Sequence, residues 1–381
     1  MSSESSSIED ILQAASFPDP EILTRVAAIG ADLVAEAVLA EVASRSILLP
    51  APAETLVVQC DLGFGGERIG YLLTLGDGDA RLQKGWETAA SATIRQDLVD
   101  LLREVFGPVG PHGATRELFA SQLADVEYSA PVATGVRQIV AAMSQRPMDV
   151  TDLAVRFGSD KWGGRWYTPH YQKYFAPYRD QAVRVLEIGI GGYDSPDAGG
   201  ESLRMWKHYF RRGLIYGMDI YPKPGVAQSR VQVLQGDQGD EQFLDSMARE
   251  VGPFDIVIDD GSHISRHVIA SFNALFPHVK PGGIYVIEDL ASSYWPDWGG
   301  DPDPSAQYRS MELIKTLLDG LHQSEQIRTD DDQPSTTDLT VTGVHVHHNL
   351  AIIEKGLNTE QGAPEWLRDI NHASSYVIES S

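Results

Sequence analysis

The chain has 381 residues, 42% of them hydrophobic and 22% charged, which fits a globular protein of two domains better than one of one. A formal net charge of −24 argues against nucleic acid, which needs a basic stripe, and against an anionic membrane surface. One cysteine, Cys60, leaves no intrachain disulfide.

The start, MSSESSSIED, is polar and acidic, and no apolar run approaches the roughly 18 residues of a membrane span, so a cytoplasmic protein is expected. Residues 8–45 read as helical, with apolar side chains every three or four positions from Ile22 to Val42. Two strand-like runs follow, TLVVQCDLGF and RIGYLLTLG, joined by a turn at Gly65 and Gly66. Cys60 lies inside the first run and reads as a small buried residue. SATIRQ is a third strand candidate, leading into a helix DLVDLLREVF capped by Asp97 and stopped at Gly107-Pro108. Residues 108–116 look like a linker and 117–157 like connecting helices. We therefore expect an auxiliary α+β domain over 1–145 and a second domain over 146–381. Ten of the eleven histidines lie at or beyond His170, which puts the chemistry in the second domain. The first is expected to serve assembly or closure over substrate, with ligand binding surviving its removal.

From Val183 onward, short apolar β-branched runs alternate with helices: VRVLEIGI, GLIYGMDI, RVQVLQGD, FDIVIDDG and GGIYVIEDL, then LTVTGVHVH and LAIIEKG. Near-continuous apolar runs belong to a parallel sheet covered on both faces, and the strand–helix repeat makes it doubly wound. The last two runs have only a tight connection at His348-Asn349 and must pair as an antiparallel hairpin. The segment 329–338 (TDDDQPSTTD) reads as a polar surface loop.

The first strand of this set ends in LEIGIGG, where Glu187, Gly189 and Gly191 form an acidic-x-Gly-x-Gly loop. Glycines there admit a ligand close to the backbone, and the following helix aims its N-terminus at an anionic group. That helix is expected to start near Ser202, placed to cap it and to meet a carboxylate. Asp219, about thirty residues on at the end of the second strand, can accept hydrogen bonds from two ribose hydroxyls. Asp237 and Gln238 end the third strand at the adenine edge. A dinucleotide dehydrogenase would need a third glycine where Asp194 stands. With PGG at Pro281–Gly283, methyl transfer from S-adenosylmethionine is the expectation, and Tyr167 in the preceding aromatic segment (157–175) is a candidate contact to that cofactor.

The fourth and fifth strands end in IDDGSH and VIEDL, and in this topology they are neighbours. Asp259, Asp260, Glu288 and Asp289 then share one crevice, where carboxylates repel unless a cation joins them. All-oxygen ligands suit magnesium or manganese, with Asp260, Glu288 and Asp289 as the ligand set and Asp259 in a cofactor or structural role. His263 stands at the mouth of the crevice as a general base for an alcohol. A helix-capping role for His263, or zinc between His263 and His267, are rival readings. His345 and His347 share a strand face and read as packing. The loop at 292–308 (SSYWPDWGGDPDPSAQY) offers Tyr294 and Trp295 as aromatic faces for a sugar or polycycle.

The set SDKW…YTPHY, RVLEIGIGGY, GGESLRMWK, IYGMDI, QGDQ, FDIVIDDGSH, PGGIYVIEDL and GVHVHHN resembles the macrolide sugar O-methyltransferases. The likeness extends into the first domain at ERIGYLLTL and LVDLLREVFG. It implies a class I methyltransferase sheet of seven strands, the last antiparallel, and magnesium at Asp260, Glu288 and Asp289 with His263 as base. It further implies a deoxysugar diol on a glycosylated polyketide as substrate, and a homotetramer. A phenol or catechol methyltransferase and a non-catalytic binding scaffold are the alternatives.

Overall fold

The computed structural model describes residues 3–47, 54–76, 79–108, 116–120, 126–143, 148–162, 165–326 and 333–364. The chain divides into two compact units. The first comprises Met1–Val183, Ser195–Tyr216 and Lys223–Val233; the second comprises Arg184–Asp194, Gly217–Pro222 and Leu234–Ser381.

The first unit opens with helices α1 (Ser3–Ala14), α2 (Asp19–Ile29) and α3 (Ala31–Ser46). The continuous helical periodicity of the sequence hides two breaks. Gly30, at φ 105°, ends α2 and starts α3, a backbone conformation that side chains other than glycine's strongly resist. Strands β1 (Leu56–Phe64), β2 (Glu67–Gly76), β3 (Asp79–Lys84) and β4 (Ala92–Asp97) follow, then helix α4 (Leu98–Phe106) and strand β5 (Glu117–Ala120). They form one sheet in the order β3-β2-β1-β4-β5. The hairpin β1–β2 turns at Gly65 and Gly66, as read from the sequence. Two strands were not anticipated. β3 is an exposed edge with weak apolar alternation, and β5 occupies part of the stretch read as connecting helix. Of the linker reading at 108–116, residues 109–115 lie outside the described residues.

Asp97 accepts from the amides of Val99 and Asp100, so α4 starts at its expected cap. Cys60 is fully buried in the middle of β1, opposite Tyr71 on one side and Ile94 on the other, and burial pushes its thiol up to about 12. It is a core residue and not a reactive one. The unit continues through α5 (Val126–Met143), α6 (Val150–Phe157) and α7 (Thr168–Phe175).

The remaining elements are β6 (Arg184–Ile188), α8 (Glu201–Tyr209), β7 (Leu214–Asp219), β8 (Val231–Gln235), α9 (Glu241–Val251), β9 (Phe254–Asp259), α10 (Ser265–Leu275), β10 (Val279–Glu288), α11 (Ser310–Leu321), α12 (Thr336–Thr340), β11 (Val341–His347) and β12 (Leu350–Lys355). The seven strands run in the order β11-β12-β10-β9-β6-β7-β8. β6, β9 and β10 are parallel, while β12 is antiparallel to both β10 and β11. This is the seven-stranded α/β sheet with an antiparallel hairpin at one edge that the sequence leads one to expect. The near-continuous apolar runs are the buried strands Ile256–Ile258 and Ile284–Ile287. Part of the segment 329–338 departs from its reading as loop: Ser335 and Asp338 make a capping box that starts α12.

Candidate active site

Strand register decides what meets at the carboxyl end of this sheet. Ile188 of β6 pairs with Asp259 of β9, Asp259 with Ile287 of β10, and Glu288 with Leu350 of β12. The loops leaving β6, β9 and β10 and the turn between β11 and β12 therefore start from one line.

The first of these loops is held by its neighbours' backbone. Gly189 N donates to Met218 O at 2.8 Å, and Asp260 N donates to Ile188 O at 3.0 Å. A Cβ on Gly189 would lie 2.1 Å from Asp260 O, so only glycine lets the two loops approach. Gly191 has φ 77° and open space where its Cβ would be, a bare stretch of backbone that a ligand can approach. Asp219 clamps this loop. Its Oδ2 accepts from Ile190 N at 2.9 Å and its Oδ1 from Tyr221 N at 3.0 Å, each oxygen keeping a lone pair for a hydroxyl. Asp237 is exposed, with Oδ1 accepting from Gly239 N.

Gln238 is buried and faces the protein. Its amide donates to Asp259 Oδ1 at 2.6 Å and its Oε1 accepts from Ser262 N at 2.8 Å. Asp259 is buried too, receiving Ser271 Oγ at 2.5 Å, and burial raises its carboxyl to about 6. Among the described residues it belongs to neither of the metal-capable groups beside it.

Two sets of ligand-capable side chains share Asp260. The ligand atoms of Asp260, His263 and Asp289 all lie within 4.8 Å of one another, and so do those of Glu187, Asp260 and Glu288. Glu187 is fully buried and Glu288 nearly so, which makes their mutual repulsion costly without a positive partner. This oxygen-rich donor set fits a hard divalent cation. Glu187, assigned from its sequence position to the cofactor, thus also faces the acidic cluster.

His263 has φ 55° and lies before α10, whose N-cap position is Ile264 with no side-chain cap, so the capping reading of this histidine fails. Its Nε2 is 3.6 Å from Asp289 Oδ2, and its ring sits 5.7 Å from that of Trp298. His267 points elsewhere, with Nδ1 2.9 Å from Ser262 Oγ, and does not join His263 in any metal-holding group among the described residues. His345 pairs with Glu354 across the hairpin at 3.0 Å.

Asp289 also adopts a left-handed backbone, φ 52°. Its Oδ1 accepts from Asn349 Nδ2 at 2.9 Å, while Asn349 Oδ1 accepts from Ala291 N at 2.6 Å. The sequence reading treated Asn349 only as part of a tight hairpin. The pairing of β12 with β10 brings it to the carboxylate. Trp298 was likewise passed over within its aromatic loop in favour of Tyr294 and Trp295. Those two are partly exposed, and Tyr294 packs on the guanidinium of the buried Arg309.

Two sequence-assigned residues belong to the first unit. Tyr167 is 3% exposed at the start of α7. Ser202 is not a cap: α8 begins after Gly200, at φ 77°, and Ser202 is its second residue. The run of glycines before α8 supplies the left-handed cap that a serine was expected to provide.

Comparison with known proteins converges on one family. Residues 8–116 match the family described as MycE methyltransferase N-terminal, and residues 197–290 match a methyltransferase domain family. Mycinamicin VI 2''-O-methyltransferase of Micromonospora griseorubida is 40% identical, over 96% of this chain and 94% of its own. Demethylmacrocin O-methyltransferase of Streptomyces fradiae is also 40% identical, over 96% and 95%. The structure of MycE methyltransferase from the mycinamycin biosynthetic pathway, in complex with Mg, SAH and mycinamycin VI, superposes with a TM-score of 0.88. It is 39% identical, with 97% of this chain and 98% of that one covered. The chain belongs to this family of S-adenosylmethionine- and magnesium-dependent sugar O-methyltransferases.

Proposed function

We propose that the chain methylates a hydroxyl of a deoxysugar carried by a glycosylated macrolide or related polyketide. The observation that supports this most directly is the meeting of His263 with Asp260 and Asp289, a base beside an acidic cluster at the sheet's carboxyl end. In this reading Asp260, Glu288 and Asp289 hold magnesium, or manganese in its place. Glu187, Gly189, Gly191, Asp219, Asp237, Tyr167 and Ser202 serve the cofactor by contact, while Gln238 and Asp259, bonded to each other, serve it by holding the loops behind it. When bound, S-adenosylmethionine supplies the methyl group, and the cation lowers the pKa of the accepting hydroxyl and fixes its position.

The chain's own residues do the rest. His263 would take the hydroxyl proton at Nε2 as the oxygen–methyl bond forms and the methyl–sulfur bond breaks, S-adenosylhomocysteine being the leaving group, which needs the ring within hydrogen-bond reach of that oxygen. Asp289, 3.6 Å away, steadies the ring as it becomes positive. Trp298 closes one side of the imidazole, and with Tyr294 and Trp295 it offers aromatic faces to the sugar. Asp219 holds the glycine loop in the shape that admits the cofactor.

We assign residues 1–145 to an auxiliary domain and 146–381 to the catalytic one. The enzyme is proposed to work in the cytoplasm as a homo-oligomer, a tetramer; among the described residues no helix is long and apolar enough to cross a membrane. The test is incubation with labelled S-adenosylmethionine, magnesium and a panel of glycosylated macrolides and aromatic polyketides. A new methoxy signal on a sugar ring, located by NMR, supports the reading; methyl transfer only to catechols or to no acceptor sinks it. Asp260→Ala should lose magnesium-dependent turnover, because a hard cation loses a ligand while the other carboxylates still repel.

A further inference from the structure

We infer that Asn349 is a positioning residue for the metal site, holding Asp289 so that one chosen oxygen faces the cation and His263. The inference rests on the assignment of Asp289 as a magnesium ligand. A carboxylate on a short side chain can rotate and can present either oxygen. Here Oδ1 is occupied by Asn349 Nδ2 at 2.9 Å, and Oδ2 is the oxygen that lies 3.6 Å from His263 Nε2. The other end of the same amide accepts from Ala291 N at 2.6 Å, and the Asn349 carbonyl accepts from Leu290 N at 3.3 Å. One residue therefore grips three consecutive positions, the carboxylate and the two amides that follow it.

The grip bears on a strained point. Asp289 sits at φ 52°, outside the regions a side chain prefers, and the backbone stays there only if its surroundings over-determine it. Asn349 is itself at φ 67°, which asparagine tolerates better than most residues. The fold delivers it from 60 residues away through the pairing of Glu288 with Leu350, which sets the β11–β12 turn beside the end of β10. This explains why the sheet's antiparallel hairpin matters to a site built on parallel strands: its turn supplies an outer partner for a ligand carboxylate. Such partners orient ligands, and their loss typically weakens metal binding by about 10–100-fold.

The experiment is calorimetric titration of magnesium into the S-adenosylmethionine-saturated full-length protein, with S-adenosylmethionine affinity measured separately. Asn349→Gly keeps the left-handed turn without strain and removes only the side chain. Asn349→Ser is a second way to lose the bridge, because its side chain is too short to span both partners. Both should weaken magnesium binding about 10–100-fold while cofactor affinity stays within twofold. Wild-type magnesium affinity in both variants, or equal losses for magnesium and cofactor, overturns the role of Asn349. Asp289→Ala is the reference. If it binds magnesium as wild type does, the ligand assignment itself fails; if it is weak while both Asn349 variants are normal, only the positioning role fails.

Discussion

His263 illustrates how a single side chain is set by groups that never touch substrate. Its backbone is left-handed, and the turn around it is pinned from behind: Ser262 N donates to Gln238 Oε1, and Gln238 in turn donates to Asp259. Gly261 has no room for a Cβ, which would lie 2.4 Å from Gln238 Oε1. The loop is thus fixed by one buried amide, and the imidazole is presented to Asp289 on one side and Trp298 on the other. Replacing His263 by alanine should leave magnesium and cofactor affinities unchanged and lower kcat by about 10²–10⁴-fold, as loss of a general base does. Calorimetry for binding and single-turnover kinetics for chemistry separate the two. Full turnover in the variant at neutral pH removes the histidine from the mechanism. The acidic side chains and His263 were legible because strand ends in a doubly wound sheet face one crevice. Asn349 and Gln238 were not read for what they do here: their roles depend on strand register and loop approach, which no local pattern encodes.

At the scale of elements, helix α3 is the instructive case. Its sequence periodicity shows an amphipathic helix and nothing more, yet it carries the fully buried Glu41. Glu41 accepts from Arg45 at 2.9 Å and from Arg230 at 2.7 Å, and Arg230 also donates to the carbonyls of Lys207, Phe210 and Gly213. A charged residue at position 41 of an apolar stripe looks like a surface residue until its partner, 189 positions away, is known. Local pattern also missed β3, a polar exposed edge, and β5, an edge of four residues, whereas β6 through β12 were readable because their runs are apolar and β-branched. Burial pushes the Glu41 carboxyl up, but Arg230, Arg45 and Lys207 outweigh it and hold it well below the ordinary 4.5. Glu41→Gln would leave Arg230 buried with no carboxylate, and breaking a buried pair in this way costs about 3–5 kcal/mol. The sign of its pH dependence follows from the depressed value. The stabilisation is complete above the unfolded carboxyl's pKa and is lost as pH falls through the folded one. Chemical denaturation should therefore show the full deficit at neutral pH and a shrinking one in acid. Equal stability of the two proteins at pH 7 would refute the account.

At the scale of the whole molecule, the same network bears on how far the N-terminal residues can be separated from the rest. From sequence alone residues 1–145 look dispensable for ligand binding, since they hold few candidate catalytic groups. In the structure Glu41 and Ser44 belong to the same compact unit as α8 and residues 223–233. Deleting 1–145 removes the carboxylate from Arg230 and the Ser44 hydroxyl from Lys207, whose ammonium burial has already lowered to about 8. It also removes Ser16, a partner of Arg212. Three buried cations, Arg230, Lys207 and Arg212, would then keep their places with less to balance them. Uncompensated charge of this kind is among the most destabilising of defects. The fragment 146–381 is therefore expected to melt without a cooperative transition and to lose S-adenosylmethionine affinity, contrary to the sequence expectation that binding survives. Circular dichroism melting and calorimetric titration of the cofactor measure both. Arg230→Met in the fragment should restore part of the cooperativity, because an apolar side chain of similar length removes the stranded charge. A fragment that melts as sharply as the full chain and binds the cofactor equally well would show that the catalytic part folds alone.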